Sequence, residues 1–175
     1  LFMSDMTSCM CGSHNPIDIL RTKKYVRNFY KEHPDYFKPE GIVIFSAFQG
    51  QGKTLSSVDY VRNLTWLYPK AILVTNTDIE GLNPLTDVRE YEGISSLTDI
   101  NNGYNGVIYY IDEIELEFNC LESKGIPANV IKEFAQARKQ RKHIIGTSQF
   151  FLRVAKPLRE QTKFVVMCKK ILGFI

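Results

Sequence analysis

Three short clusters carry residue types that could act on phosphate. The first is Ile42-Val-Ile-Phe-Ser-Ala-Phe-Gln-Gly-Gln-Gly-Lys-Thr54, an apolar run feeding a Gly-rich turn that ends in Gly-Lys-Thr. Such a turn lets successive N–H groups converge on an anion, and the following helix adds its positive N-terminal end. Gln49, Gly50, Gln51, Gly52, Lys53, Thr54 and Leu55 are the candidate phosphate contacts. Lys53 can reach the outer phosphates of a nucleotide, and the Thr54 hydroxyl can ligate Mg²⁺. The strict pattern has a first glycine five positions before the second, where Ala47 stands; Gly50 is expected to supply the missing flexibility.

The second cluster is Val107-Ile-Tyr-Tyr-Ile-Asp112-Glu113. A strand ending in Asp would set a carboxylate, Asp112, beside the metal, and Glu113 could polarise a water for attack on the terminal phosphate. A kinase must exclude water, so this pair points to hydrolysis. The third is Thr147-Ser148-Gln149, where the Gln149 amide could sense the terminal phosphate; alternatively it caps a strand. Cys9-Met-Cys11 with His14 lacks the second ligand pair of a zinc site, and Cys120 and Cys168 read as small buried hydrophobes.

Elements that would position these clusters follow from periodicity and breakers. A helix is expected over Pro16–His33, capped by Asn15. A strand over Gly41–Ala47, a helix over Lys53–Leu67 and a strand over Ala71–Thr75 come next. Residues 76–105 are dense in Asn, Gly, Pro and Asp, so irregular structure is expected, with a short helix near Ser95–Ile100. Then come a strand over Gly106–Ile111, a helix over Pro127–Lys142 with Ile131, Phe134, Ala135 and Arg138 along one side, and a strand over His143–Thr147. A short helix over Val154–Gln161 and a strand over Lys163–Cys168 complete the series. Strands alternating with helices imply an α/β fold with a mostly parallel sheet covered on both faces. The expected division is an N-terminal extension with one helix, residues 1–40, and a phosphate-loop domain, residues 41–175.

Composition bounds the rest. The apolar share, 44%, is ordinary for a globular protein, and no apolar run approaches the ~20 residues of a membrane helix. The N-terminal residues are too short and polar for a secretory signal, and Leu1 in place of Met leaves open a fragment, a processed product or the ordered part of something longer. Four cysteines do not make a disulfide framework here, and a nucleotide site implies a reducing compartment. Residues 1–122 hold 10 Lys/Arg and 17 Asp/Glu, whereas residues 123–175 hold 12 and 2. The basic final third suggests a polyanionic partner or a charged intersubunit surface; the alternative is a solvated face.

Taken together, Ala47-x4-Gly52-Lys-Thr54, Tyr110-Ile-Asp112-Glu113, Ala137-Arg138 before a strand ending Thr-Ser-Gln149, and Leu158-Arg159 resemble the additional-strand P-loop ATPases. Within them the chain is similar to the FtsK/HerA type, including viral genome-packaging ATPases and zonula-occludens-toxin-like phage assembly proteins. The resemblance covers about residues 41–170 and implies a RecA-like three-layer fold with strand order 5-1-4-3-2. The strand carrying Gln149 would lie between the phosphate-loop strand and the Asp112 strand. It further implies ATP and Mg²⁺ as cofactors, Glu113 as base, Gln149 as sensor, and an arginine supplied by a neighbouring subunit, with Arg138 and Arg159 as candidates and Arg141 a weaker third. The expected function is Mg²⁺-dependent ATP hydrolysis driving DNA translocation or packaging by a homo-oligomeric ring that grips the DNA backbone non-specifically. Lys132, Arg138, Lys139, Arg141, Lys142, Arg153, Lys156 and Arg159 are the expected phosphate contacts. The alternative is a zonula-occludens-toxin-like ATPase for virion assembly or secretion, with protein cargo and virion or capsid proteins as partners. The cytoplasm, that of the host for a viral chain, is the expected location, with virion association as a second.

Overall fold

The computed structural model describes residues 16–34, 36–38, 40–122 and 125–170. Cys9, Cys11 and His14 lie outside them. The chain divides into two compact units, residues 1–36 and 37–175. In the first, helix α1 (Pro16–Glu32) ends in an aromatic cluster in which the Phe29 ring stands 5.6 Å from Tyr30, 4.7 Å from His33 and 5.5 Å from Tyr36.

The second unit is built on the apolar runs of the sequence. β1 (Ile42–Ser46), β2 (Ile72–Thr75), β4 (Val107–Ile111) and β5 (Lys142–Ser148) are buried along their whole length. Two further strands, β3 (Asp87–Glu90) and β6 (Thr162–Met167), close the edges of a six-stranded sheet of order β3-β2-β4-β5-β1-β6. Every pairing is parallel. Successive side chains of a strand face opposite sides, so one sequence run feeds two cores. Ile42, Ile44, Val107, Tyr109, Ile111 and Ile144 join one of them, packed by α4 (Ile114–Glu117), α5 (Ala128–Gln136) and α6 (Lys156–Gln161). Val43, Phe45, Ile108, Tyr110 and Ile145 join the other, into which α2 (Lys53–Leu67) lays Val61. The short helix expected near residue 95 is α3 (Ser96–Asp99).

Five of the six strands keep the expected order 5-1-4-3-2; the sixth, β3, is an addition at the edge beyond β2. It arises in the stretch expected to be irregular. Asp-Val-Arg-Glu has one apolar residue and four exposed ones, so its strand state comes from pairing with β2, register Ile72 to Asp87, and not from an apolar pattern. α5 stops at Gln136 instead of Lys142, because residues 137–141 form turns and Arg141 takes a left-handed φ of 56°. Its buried residues are Val130 and Phe134, with Ala137 just beyond the helix, whereas Ile131 and Ala135 face outward. Cys120 and Cys168 are half-buried rather than buried. α4 was not foreseen.

Candidate nucleotide site

Parallel strands bring their C-terminal ends to one edge of a sheet, where ligands bind in open α/β folds. The three central strands β1, β5 and β4 therefore deliver residues 47–52, 147–149 and 112–113 to the same place. Gly50 and Gly52 hold φ of 77° and 80°, the left-handed region that disfavours side chains, whereas Ala47 is absent from that class. Ala47 is buried and its N–H donates to Ser148 O at 3.2 Å, so this position asks for a small residue and not for a left-handed one. The departure from the glycine pattern thus lies where the backbone is ordinary.

Thr147 is the centre of the site. Its Oγ1 accepts from Lys53 Nζ at 3.0 Å and from the Glu113 N–H at 2.9 Å, and donates to Asp112 Oδ1. One donor and two acceptor positions are all a hydroxyl has, and every one is used. Lys53 Nζ also stands 4.0 Å from Asp112 Oδ1, with its side chain 10% exposed against 25% for the carboxylate. The cluster therefore holds a buried ammonium beside a carboxylate that still meets solvent.

Further contacts fix the second cluster. Asn76, at the end of β2, clamps Asp112 by its backbone: the Asp112 N–H donates to Asn76 Oδ1 at 2.9 Å, and Asn76 Nδ2 donates to Asp112 O at 3.1 Å. Glu113 adopts φ 53°, an unfavourable conformation for a residue with a side chain, which turns the chain sharply from β4 into α4. Gly146 makes room for this turn, since a Cβ there would lie 2.7 Å from Ile114 Cδ1. Gln149 stands just beyond β5, and its N–H donates to Oε1 of buried Glu115 at 2.9 Å. Sequence reasoning overlooked Thr147, Asn76 and Glu115. Thr147 lay within the third cluster, and Asn76 directly follows an apolar strand, a position that alone could have drawn notice.

No protein-family model matches the sequence, and no curated protein sequence does. Solved structures do match in fold. The N-terminal domain of zonular occludens toxin from Neisseria meningitidis superposes with a TM-score of 0.56 at 18% identity, covering 70% of this chain and 73% of that one. The genome packaging NTPase B204 from Sulfolobus turreted icosahedral virus 2, in complex with ATP-gammaS, gives 0.57 at 16% identity over 74% of each chain. Its complex with AMPPCP gives 0.58 at 13% identity over 77% and 76%. The deciding feature is the strand between those of the phosphate loop and of Asp112: β5 lies between β1 and β4. This is the additional-strand P-loop NTPase fold.

Within the P-loop domain the remaining candidates separate clearly. Lys53 is buried and directed at Thr147 and Asp112, while Thr54 and Leu55 lie exposed on the first turn of α2. Gln51 Oε1 accepts the Lys170 N–H at 2.9 Å, tying the loop to the segment after β6. The arginines do not join them. Arg138 is exposed beside Gly41, at the start of β1, about 20 Å of strand away from the P-loop. Arg141 donates to Phe37 O at 3.1 Å and lies over the Tyr104 ring. Arg159 is half-buried on α6, with Nε lacking a hydrogen-bond partner among the described residues.

Of the residues expected to contact phosphate backbones, Lys142 is instead consumed within the fold. Lys142 is 3% exposed, and its ammonium binds Glu133 at 2.7 Å and Leu97 O at 2.5 Å. Lys156 remains exposed, in a surface pair with Glu160 at 3.6 Å.

Proposed function

We propose that this chain is a Mg²⁺-dependent ATPase and that hydrolysis drives DNA translocation or packaging by a homo-oligomeric ring. The reading rests on one observation: the phosphate loop, a buried lysine and the Asp112-Glu113 pair meet around Thr147 at the C-terminal edge of a parallel sheet. Lys53 offers a desolvated ammonium to the β- and γ-phosphates. The site fits a divalent cation, because both contacts of the Asp112 carboxylate fall on Oδ1 and the exposed Thr54 hydroxyl is one residue from Lys53. Thr54 and Asp112 would hold Mg²⁺, which when bound supplies charge neutralisation at the β- and γ-phosphoryl oxygens. Glu113 acts as base toward the attacking water, a role that supplies ~10²–10⁴ in rate. Gln49, Gly50, Gln51, Gly52 and Leu55 line the phosphates, and Gln149 senses the terminal one.

Arg138 stands too far from its own P-loop to act there, so it and Arg159 are assigned to a neighbouring copy's nucleotide. The similarity in fold to a viral genome packaging NTPase supports a nucleic-acid genome as cargo for this chain. No described helix is long and apolar enough to cross a membrane.

Glu113→Gln tests the core of the proposal. ATP turnover is expected to fall about 10²–10⁴-fold while binding of a fluorescent ATP analogue is retained. Unchanged turnover removes Glu113 from catalysis. Turnover stimulated by duplex DNA in a large sized complex supports the motor; a complex whose turnover ignores DNA and responds to coat protein favours the virion-assembly alternative.

A further inference from the structure

Helix α1 carries a concentrated basic face. Its sequence, Pro-Ile-Asp-Ile-Leu-Arg-Thr-Lys-Lys-Tyr-Val-Arg-Asn-Phe-Tyr-Lys-Glu, puts Lys24, Arg27 and Lys31 at i, i+3 and i+7, with Lys23 one turn before Arg27. That spacing sets four cations on one face. All four are exposed, and the acidic residues of the helix, Asp18 and Glu32, stand towards its ends. Some lysines and arginines of the second unit find carboxylates: Lys142 with Glu133, Lys163 with Glu40, Lys156 with Glu160, Arg89 with Asp87. Among the described residues, none of Lys23, Lys24, Arg27 and Lys31 has one within 4.0 Å.

A charged helix face is ordinarily just solvated. This one concentrates four cations, with no carboxylate partner among the described residues, within about 12 Å of helix axis, a length over which duplex DNA presents about seven phosphate charges. Part of the opposite side of the helix is engaged, although Tyr25 there is exposed. Val26, Phe29 and Tyr30 are half-buried, and Phe29 packs against Tyr30, His33 and Tyr36. Insertion into a lipid surface would have to expose that cluster, whereas a phosphodiester backbone needs only the basic face.

We propose that Lys23, Lys24, Arg27 and Lys31 form a sequence-independent contact for the phosphate backbone of nucleic acid. The inference rests on the reading of the chain as a DNA motor and relocates much of its grip from the basic final third to the N-terminal helix.

The test measures binding of a fluorescein-labelled 30-base-pair duplex of arbitrary sequence to the full chain across 50–200 mM salt. In K23Q/K24Q/R27Q/K31Q the salt slope is expected to shrink by about 3 to 4, at close to 0.9 per phosphate contact, and affinity at 50 mM salt to drop about 100-fold or more. Binding of the fluorescent ATP analogue should stay at the wild-type level, which shows that the P-loop unit is folded. K23R/K24R/K31R, which keeps every charge, should retain the slope. Wild-type DNA binding that the quadruple glutamine variant reproduces in affinity and slope overturns the inference and leaves the motor reading intact. A wild-type chain that ignores DNA but sediments with phosphatidylserine vesicles overturns both.

Discussion

The two ends of the parallel sheet use the same residue types for opposite ends. At the N-terminal end, Lys142 is buried and neutralised within the fold by Glu133 and by the Leu97 carbonyl. Its neighbour His143 is closed in as tightly. One ring nitrogen lies 2.8 Å from Gly41 O and the other 3.1 Å from the Tyr60 hydroxyl, and burial pushes its pKa down to about 4 against a weaker upward pull from the Gly41 carbonyl. At the C-terminal end, Lys53 is nearly as buried, but its partners are a hydroxyl at 3.0 Å and a partly exposed carboxylate at 4.0 Å. A buried cation with a close, shielded counter-charge is structure. A buried cation with a distant and solvent-facing one leaves room for an anion, the role proposed for Lys53. Backbone strain does not separate the two ends, since Glu113 holds φ 53° after β4 and Arg141 holds φ 56° before β5.

This contrast can be broken at either end. The largest effect is expected from Glu133→Gln, which leaves the Lys142 charge buried without its carboxylate. Urea unfolding should show a loss of about 3–5 kcal/mol, the usual cost of removing one partner of a buried pair, with ATP-analogue affinity unchanged in the molecules that remain folded. Equal damage to nucleotide binding would mean that the two ends are coupled.

Protonation of His143 sharpens the same end. Its folded pKa lies below the ordinary histidine value, so the unfolded chain takes up the proton first as pH falls. The contribution is fully present above about pH 6.5, is lost between there and about pH 4, and amounts to about 3 kcal/mol. Unfolding free energies at pH 7.5, 5.5 and 4.5 should trace that loss, and His143→Gln should flatten it. A profile that steepens in the variant contradicts the assignment.

The smallest effect is expected at the other end, from Thr147→Val. The substitution keeps shape but deprives Lys53, Asp112 and the Glu113 N–H of their shared partner. Turnover should drop about 10–100-fold, in the range of positioning groups around a reactive centre. Stability should change far less than in Glu133→Gln, and Thr147→Ser should restore part of the rate. If Thr147→Val costs mainly stability, Thr147 belongs with Lys142 and the contrast between the ends fails.

Much of the fold was legible because the signals were local. Ile42-Val-Ile-Phe and Val107-Ile-Tyr-Tyr-Ile are apolar enough to be buried on both faces, and Pro69 together with the glycines of the loop mark element boundaries. β3 was not legible, since Asp-Val-Arg-Glu carries no strand pattern and owes its state to the backbone groups of β2. The end of α5 was misplaced for a related reason. Ala-Arg-Lys-Gln-Arg suits a helix, yet Lys142 and His143 must enter β5 as buried residues, and the turn at Arg141 redirects the chain. In the site, Lys53, Asp112 and Glu113 announced themselves through motif context, while Asn76 and Glu115 act through a backbone clamp and a single amide contact that no spacing encodes.

By itself the sequence determined which residues could meet phosphate and that parallel strands would carry them, because glycine turns and apolar strands are properties of a few adjacent residues. Which cations remain available was decided only by tertiary structure. Lys142 and Arg141 look as free as Lys53 along the chain. They differ once folding has chosen which charges meet a carboxylate, a carbonyl or an aromatic ring, and which are left facing a ligand.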